Sequence, residues 1–163
     1  MLTRRKALAA TGSSLLIAGC GGRHARLVAG NQADLPALRA ALEIERTLIA
    51  LYGAGLRVLR GREATVARRV LAQEHAHATT IAELIRELGG TPAAPRPAAV
   101  YEHGLPTRGG GAAFLRHAML AEESAVAAYA GAIPKLANAR LRGTFGAIMT
   151  SEAEHAAALD VSR

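Results

Sequence analysis

Four apolar seams, each interrupted near its middle by an acidic residue, constrain this chain more than any other feature. Within four segments, apolar residues recur at alternating intervals of three and four, which is the spacing of a buried helix face. Each seam carries one glutamate, and two seams also carry a histidine three residues later. The interrupting residues are Glu45, Glu74 with His77, Glu122, and Glu152 with His155. Because buried carboxylates need partners, four of them meeting in one core predict bound cations.

The same pattern predicts four helices and no sheet. Alanine and leucine, which favour helices, dominate the periodic stretches, and no stretch alternates with a period of two for long enough to predict strands. A short turn at Gly61 makes the first two helices antiparallel neighbours, and Gly89-Gly90 before Pro92 predicts the end of the second. The expected helices span residues 34 to about 60, 62 to about 88, 111 to 133 and 139 to 159.

Residues 91–110 form the long connection between the two helix pairs. Its prolines predict a non-helical loop; they are Pro92, Pro95, Pro97 and Pro106. About twenty extended residues reach ~65 Å, whereas a helix of about 25 residues is ~37 Å long. The loop can therefore cross the whole length of the bundle, so the fold class is an all-α bundle of two antiparallel hairpins. Asp34 is the expected N-cap of the first helix.

The two halves of the chain repeat one arrangement. Glu45 is followed seven residues later by Tyr52, and Glu122 is followed seven residues later by Tyr129. In each half the next helix then carries a Glu-x-x-His pair, which places a carboxylate and an imidazole on one face. Two such hairpins packed about a pseudo-two-fold axis would place six ligands at the middle of one bundle.

These six residues resemble the di-iron carboxylate site of the ferritin-like superfamily. The resemblance covers residues 33–160, and residues 121–129 look like the third helix of secreted bacterial ferritin-like proteins, many of them uncharacterised. It implies a four-helix bundle with two iron ions, manganese being possible, and oxidation of Fe(II) by O₂ or peroxide. It also implies that Glu74 and Glu152 bridge the ions and that Glu45 and Glu122 bind terminally.

Several alternatives stay open at this point. Tyr52 and Tyr129, beside the expected ligands, serve either as core residues with satisfied hydroxyls or in redox chemistry. His75 replaces His77 if the second helix is rotated. The bundle could bind metal without turnover or keep the site only for stability. Storage of iron would need a multi-subunit shell, and a homodimer is possible.

Residues 1–20 are expected to be an export signal. Arg4-Arg5-Lys6 precedes a short apolar run that ends in Leu16-Ile17-Ala18-Gly19-Cys20, which looks like a lipobox with Cys20 as the lipidated residue. Thr3-Arg4-Arg5 partly resembles a twin-arginine signal, so either export route is possible. Residues 21–33 would be a tether and 34–163 the bundle, held by lipid on the periplasmic or extracellular face of the cell envelope.

The positive charge does not indicate nucleic-acid binding. The formal net charge is +7, but the arginines are scattered over polar helix faces. Basic residues are not interleaved with aromatic ones in the way that single strands require. The expected partners are therefore metal ions, O₂ or peroxide, and a membrane reached through the N-terminal lipid.

Overall fold

The computed structural model describes residues 32–103 and 110–160. The predicted export signal, Cys20 and residues 21–31 of the tether lie outside the described residues. Within the described ranges the chain is helical, and no strand occurs. The helices are α1 (Leu35–Gly55), α2 (Gly61–Glu87), α3 (Ala98–Glu102), α4 (Gly110–Ala132) and α5 (Ala139–Asp160).

Two hairpins make up the bundle, as the sequence predicts. The most extensive packing joins α1 to α2 and α4 to α5, while contacts of α1 with α4 and of α2 with α5 close the bundle. Gly89, in the left-handed region at φ 76°, ends α2, and Pro134 lies in the 3₁₀ turn Ile133–Lys135 that follows α4. The all-α prediction is confirmed. None of the helices in the described ranges combines the length and apolar character needed to cross a bilayer.

Two sequence predictions about the helices were wrong: the end of the first helix and the absence of helix in the long connection. The first helix ends at Gly55 and not near Arg60, because residues 56–58 form a turn in which the amides of Val58 and Leu59 both bond to the carbonyl of Gly55. The connection also contains a short helix, α3, which was expected to be non-helical. Pro97 precedes its first turn, where a missing N–H costs nothing, and residues 98–102 contain no proline.

Asp34 occupies the N-cap position of α1, as predicted, but its carboxylate bonds to another segment. Its side chain makes no capping hydrogen bond to α1. Instead, the carboxylate accepts hydrogen bonds from the backbone amides of Ala137 (2.8 Å) and Asn138 (3.0 Å), just before α5. The residue is 2% exposed. Asp34 thereby joins the start of the first hairpin to the turn of the second.

Two glycines in α1 give a matched test of packing. A Cβ on Gly55 would overlap the ring of Phe114, whereas a Cβ on Gly53 would have no neighbour within 4 Å. We expect Gly53→Ala to raise the free energy of unfolding by about 0.5–1 kcal/mol, because alanine favours a helix more than glycine does. Gly55→Ala should lower it by about 1–3 kcal/mol through overpacking. Urea denaturation measures both changes, and equal effects would contradict the close approach at Gly55.

The core has two apolar clusters with a polar layer between them. One cluster includes Leu38, Ile81 and Phe145, and the other includes Leu51 and Leu115.

The buried face of α1 departs from the predicted seam. Ile49 and Leu56, which were expected on the seam, are half-buried, and Leu48 and Leu51 are buried in addition. An α-helix turns every 3.6 residues, so a seam counted at 3.5 residues drifts by about 20° in each heptad.

Candidate metal centre

All six sequence-predicted ligands meet in the polar layer. Each helix of the two hairpins contributes one glutamate, and all four glutamates are 0% exposed. The imidazole rings of His77 and His155 face one another, with their centroids 6.1 Å apart and an interplanar angle of 23°. The side chains form two overlapping groups whose ligand atoms lie within 4.8 Å of one another. The groups are Glu45, Glu74, His77 and Glu152, and Glu74, Glu122, Glu152 and His155.

Three carboxylates surround the ring of His77. Its Nδ1 lies 3.0 Å from Oε1 of Glu152, 3.4 Å from Oε2 of Glu45 and 3.5 Å from Oε2 of Glu74. The Nδ1 atom is nevertheless in hydrogen-bonding geometry with none of them. The four side chains therefore converge on a common point and do not pair with one another. Among the described residues, Nε2 of His77 has no hydrogen-bond partner.

The ring of His155 is held more firmly. Its Nδ1 lies 2.9 Å from Oε1 of Glu74 and 2.9 Å from Oε2 of Glu152. Its Nε2 lies 3.1 Å from Oε1 of Gln73 and 3.3 Å from Oγ of Ser151. Because an amide oxygen only accepts, the contact with Gln73 places the proton of the neutral ring on Nε2 and leaves Nδ1 free to bind a metal.

Gln73 and Ser151 are the site residues that sequence reasoning missed. Each immediately precedes a Glu-x-x-His pair, at the same place in the two halves of the chain. That repeat was the available signal. It does not predict which histidine the two residues contact, because the answer depends on how the hairpins pack against each other.

The two buried tyrosines each reach across to the opposite hairpin. The hydroxyl of Tyr52 donates a hydrogen bond to Oε1 of Glu122, and the hydroxyl of Tyr129 donates one to Oε1 of Glu45. Burial and the neighbouring carboxylates raise the pKa of both hydroxyls, so each remains a donor. This agrees with the core interpretation, in which the hydroxyl is satisfied. Each tyrosine also fixes one oxygen of its glutamate partner and leaves the other without a hydrogen-bond partner.

Burial and close contacts shift the pKa values of several predicted ligands strongly. Burial raises the pKa of Glu45 and of Glu122 from 4.5 to about 7, although the neighbouring histidines lower them in part. Burial alone would lower the pKa of His77 and His155, but their carboxylate neighbours raise both to about 11. Burial opposes the ionised form of Glu152, yet the two histidines hold its pKa at about 2. Without metal, the two imidazolium rings are therefore the internal cations of the site.

The hydrogen-bonding pattern fits a pair of metal ions. Among the described residues, six buried side-chain atoms have no hydrogen-bond partner, and all six belong to the predicted ligands. These atoms are Oε2 of Glu45, both oxygens of Glu74, Nδ1 of His77, Oε2 of Glu122 and Oε1 of Glu152. Unpaired buried acceptors are rare in proteins because each costs about 1–3 kcal/mol. A divalent ion in each group would satisfy them.

The other candidate residues lie outside this layer. His75 is exposed, so the rotated alternative for α2 is wrong. Glu123 and Glu154 are also exposed, His117 is half-buried, and His103 is exposed in the connection after α3.

Comparisons with known proteins place the fold. The chain is similar over 81% of its length to a conserved hypothetical protein, Rv2844, from Mycobacterium tuberculosis, with a TM-score of 0.72, 20% identity and 98% of that chain covered. It is also similar to the bacterioferritin-related protein of Bacteroides fragilis, a dodecameric thioferritin, with a TM-score of 0.71, 23% identity, and 85% and 90% of the two chains covered. Comparison with curated proteins gives no match.

The family comparison covers most of the chain. Residues 33–162 match the family described as the ferritin-like domain. This range contains both hairpins and all six residues of the polar layer. The chain therefore belongs to the ferritin-like domain family.

Proposed function

We propose that the polar layer binds two divalent metal ions, with Glu74 and Glu152 shared between them. One observation carries the proposal: the unpartnered buried atoms fall into two four-residue groups that have these two carboxylates in common. Two divalent ions would balance four ionised carboxylates beside neutral imidazoles. Carboxylate and imidazole ligands without cysteine suit iron, and also manganese, better than a structural zinc site.

The proposed reaction is the oxidation of Fe(II) by O₂ or peroxide. Two Fe(II) ions supply one electron each, and with two protons these reduce O₂ to hydrogen peroxide or hydrogen peroxide to water. The chain's own residues hold the ions in a buried layer, which keeps bulk water away. Tyr52 and Tyr129 orient the terminal carboxylates. Glu74 and Glu152 would contribute ligand atoms to both ions.

Two further features are part of the proposal. Lipidation at Cys20 after export, by either route, would tether the bundle to the cell envelope. The exported protein would then protect the envelope from iron and peroxide. Self-association is also proposed, with a homodimer as the simplest form. The Bacteroides fragilis relative, which spans a similar length, is described as dodecameric.

Metal content and iron oxidation measured on one sample test the reaction. After metal is stripped, Fe(II) is added in air and the absorbance of ferric iron is followed. We expect two irons per chain and oxidation much faster than in buffer. Glu45→Gln should slow the oxidation, whereas exposed Glu83→Gln on α2 is the control and should not. Two bound ions without faster oxidation would support the alternative, a non-catalytic metal-binding or structural bundle.

The unequal support of the two histidines leads to a separate prediction. Gln73→Leu removes the closer of the two oxygen atoms in contact with Nε2 of His155 while keeping a side chain of similar size. Loss of such an outer partner typically weakens metal binding by about 10–100-fold. We expect that loss for one of the two ions and little change for the other, measured by calorimetric titration with Mn²⁺. Thr79→Val, on an exposed position of α2, is the control. Equal weakening of both ions would contradict the assigned role of Gln73.

A further inference from the structure

The outward face of α4 has no role in the proposed metal centre, and it is apolar for most of its length. Apart from the buried Glu122, the helix carries two formally charged side chains, Arg116 and Glu123. A helix on the surface of a soluble protein normally has polar residues opposite the core, and one that is apolar on all sides is normally buried. The outward face of α4 therefore has the composition of a face that packs against protein.

Leu120 lies at the centre of this face. It precedes the buried Tyr129 by nine residues, or about two and a half helical turns, so it lies on the side of α4 opposite the core. Its side chain is 58% exposed. Ala113 and Ala127, each about two turns away along the helix, continue the face in both directions. Such small side chains allow another helix to approach closely.

A groove beside this face widens the apolar surface. It lies between α4 and α1, and its volume is about 340 Å³. Ser124 and Ala128 of α4 line one side, and Ile44 and Thr47 of α1 line the other. A partner seated on Leu120 would therefore contact the edge of α1 as well as α4.

The two charged residues on this face are exposed and have no partner within the chain. Neither Arg116 nor Glu123 makes a side-chain hydrogen bond or an ion pair with any residue that the structure describes. Arg116 lies four residues before Leu120, and Glu123 lies three residues after it. At 100° per residue, both are displaced from Leu120 to the same side of the helix, by roughly 40° and 60°.

This placement matches the same face of a second copy. In a two-fold symmetric contact, if one residue meets another across the interface, the reverse contact also forms. With two α4 helices antiparallel and Leu120 near the axis, Arg116 lies about 6 Å from the axis along the helix, and the partner's Glu123 lies about 4.5 Å from it in the same direction. Two ion pairs therefore form. A parallel arrangement would instead bring like charges together, which opposes association.

We propose that the outward face of α4 binds the same face of a second copy of the chain, with the two helices antiparallel. Leu120 packs at the two-fold axis, and Arg116 pairs with the partner's Glu123. The inference rests on the self-association proposed above and gives it a surface. A second copy fits the face better than an anionic lipid surface does, because lipid headgroups of that charge would repel Glu123.

Reversal of each charge tests the pairing. The full chain is sedimented at equilibrium without metal, and with a reductant because Cys20 could otherwise link two copies. We expect a dimer, which Arg116→Glu and Glu123→Arg should each weaken by at least about tenfold, since every substitution acts twice in a two-fold contact. An equimolar mixture of the two variants should dimerise again, because both ion pairs are restored. Arg69→Glu, at an exposed position of α2, is the control and should leave the dimer unchanged.

Replacement of the central leucine gives a second arm that leaves the charges intact. Leu120→Gln should weaken the dimer, whereas Val100→Gln, at a residue of α3 that is 50% exposed, should not. A monomer at the highest soluble concentration of the unaltered protein would overturn the proposal. A dimer that none of these variants weakens would overturn this surface and leave self-association through another face. Metal content, measured on the same samples, tests the metal centre separately.

Discussion

Filling the centre with two divalent ions at pH 7 is expected to release about three protons per chain. Metal binding requires neutral imidazoles and ionised carboxylates. His77 and His155, whose pKa values are about 11, would each lose a full proton. Glu45 and Glu122, whose pKa values are about 7, are half-protonated at this pH and would together lose about one more.

The number of released protons should depend on pH in a characteristic way. At pH 5.5 both carboxyl groups are largely protonated, so about four protons leave, whereas at pH 8.5 only the two from the histidines remain. With ordinary pKa values near 6.5 and 4.5, almost no protons would be released at pH 8.5. Near pH 7, three protons correspond to a change of about 4 kcal/mol in the combined binding free energy for each pH unit.

The same shifts predict opposite pH trends in stability with and without metal. Raised pKa values in Glu45, Glu122, His77 and His155 mean that the folded, metal-free protein binds more protons than the unfolded chain. Their stabilisation is complete below the unfolded values of 4.5 and 6.5, and it is lost as pH rises through about 7 and then about 11. Glu152, whose pKa is lowered to about 2, stabilises the fold above pH 4.5 and loses this effect as pH falls through 2. Metal-free stability should therefore decline from about pH 5 upward.

Calorimetric titration with Mn²⁺ in buffers of different ionisation enthalpy measures the proton count directly. Thermal unfolding at pH 5.5 and 8.5, with and without metal, measures the stability trend. The increase in unfolding temperature on metal loading should be larger at pH 8.5, because metal and protons compete for the same atoms. Release of fewer than one proton at pH 8.5 would show that the histidines are not held as cations in the metal-free protein.

The sequence predicts the polar layer well because the signal lies in each helix separately. A glutamate on an otherwise apolar seam is costly unless something binds it, so the four seams point to one layer before their packing is known. Helix periodicity then brings each Glu-x-x-His pair to one face. The structure places the six side chains together, and their binding of metal is the proposal that the experiments test.

Features that depend on contacts between hairpins could not be predicted in this way. Asp34 is a residue type that favours N-cap positions, but the backbone amides that donate to its carboxylate lie about one hundred residues away, in the turn before α5. The contact of Gln73 with His155 and the crossed bonds of the tyrosines also join different hairpins. The local sequence shows that a side chain needs a hydrogen-bond partner. Tertiary packing decides which group supplies it.

Removal of a shared carboxylate should abolish binding of both ions, whereas removal of a terminal one should spare an ion. Glu74 and Glu152 belong to both ligand groups, while Glu45 and Glu122 each belong to one. We expect Glu74→Gln and Glu152→Gln to bind neither ion at micromolar metal. Glu45→Gln and Glu122→Gln should each retain one ion per chain. Direct loss of a ligand should exceed the roughly 10–100-fold effect of losing an outer partner.

Glutamine keeps the size of the side chain, and its amide oxygen can still accept the hydrogen bond that Tyr129 or Tyr52 donates. Circular dichroism of the metal-free variants checks that each bundle is folded. Equilibrium dialysis followed by metal analysis then counts the bound ions, with Glu83→Gln as the exposed control on α2. Two ions retained by Glu74→Gln would show that this carboxylate is not shared. Loss of both ions in Glu45→Gln would show that the two positions bind only as a unit, so that the terminal assignment fails while the dinuclear centre stands.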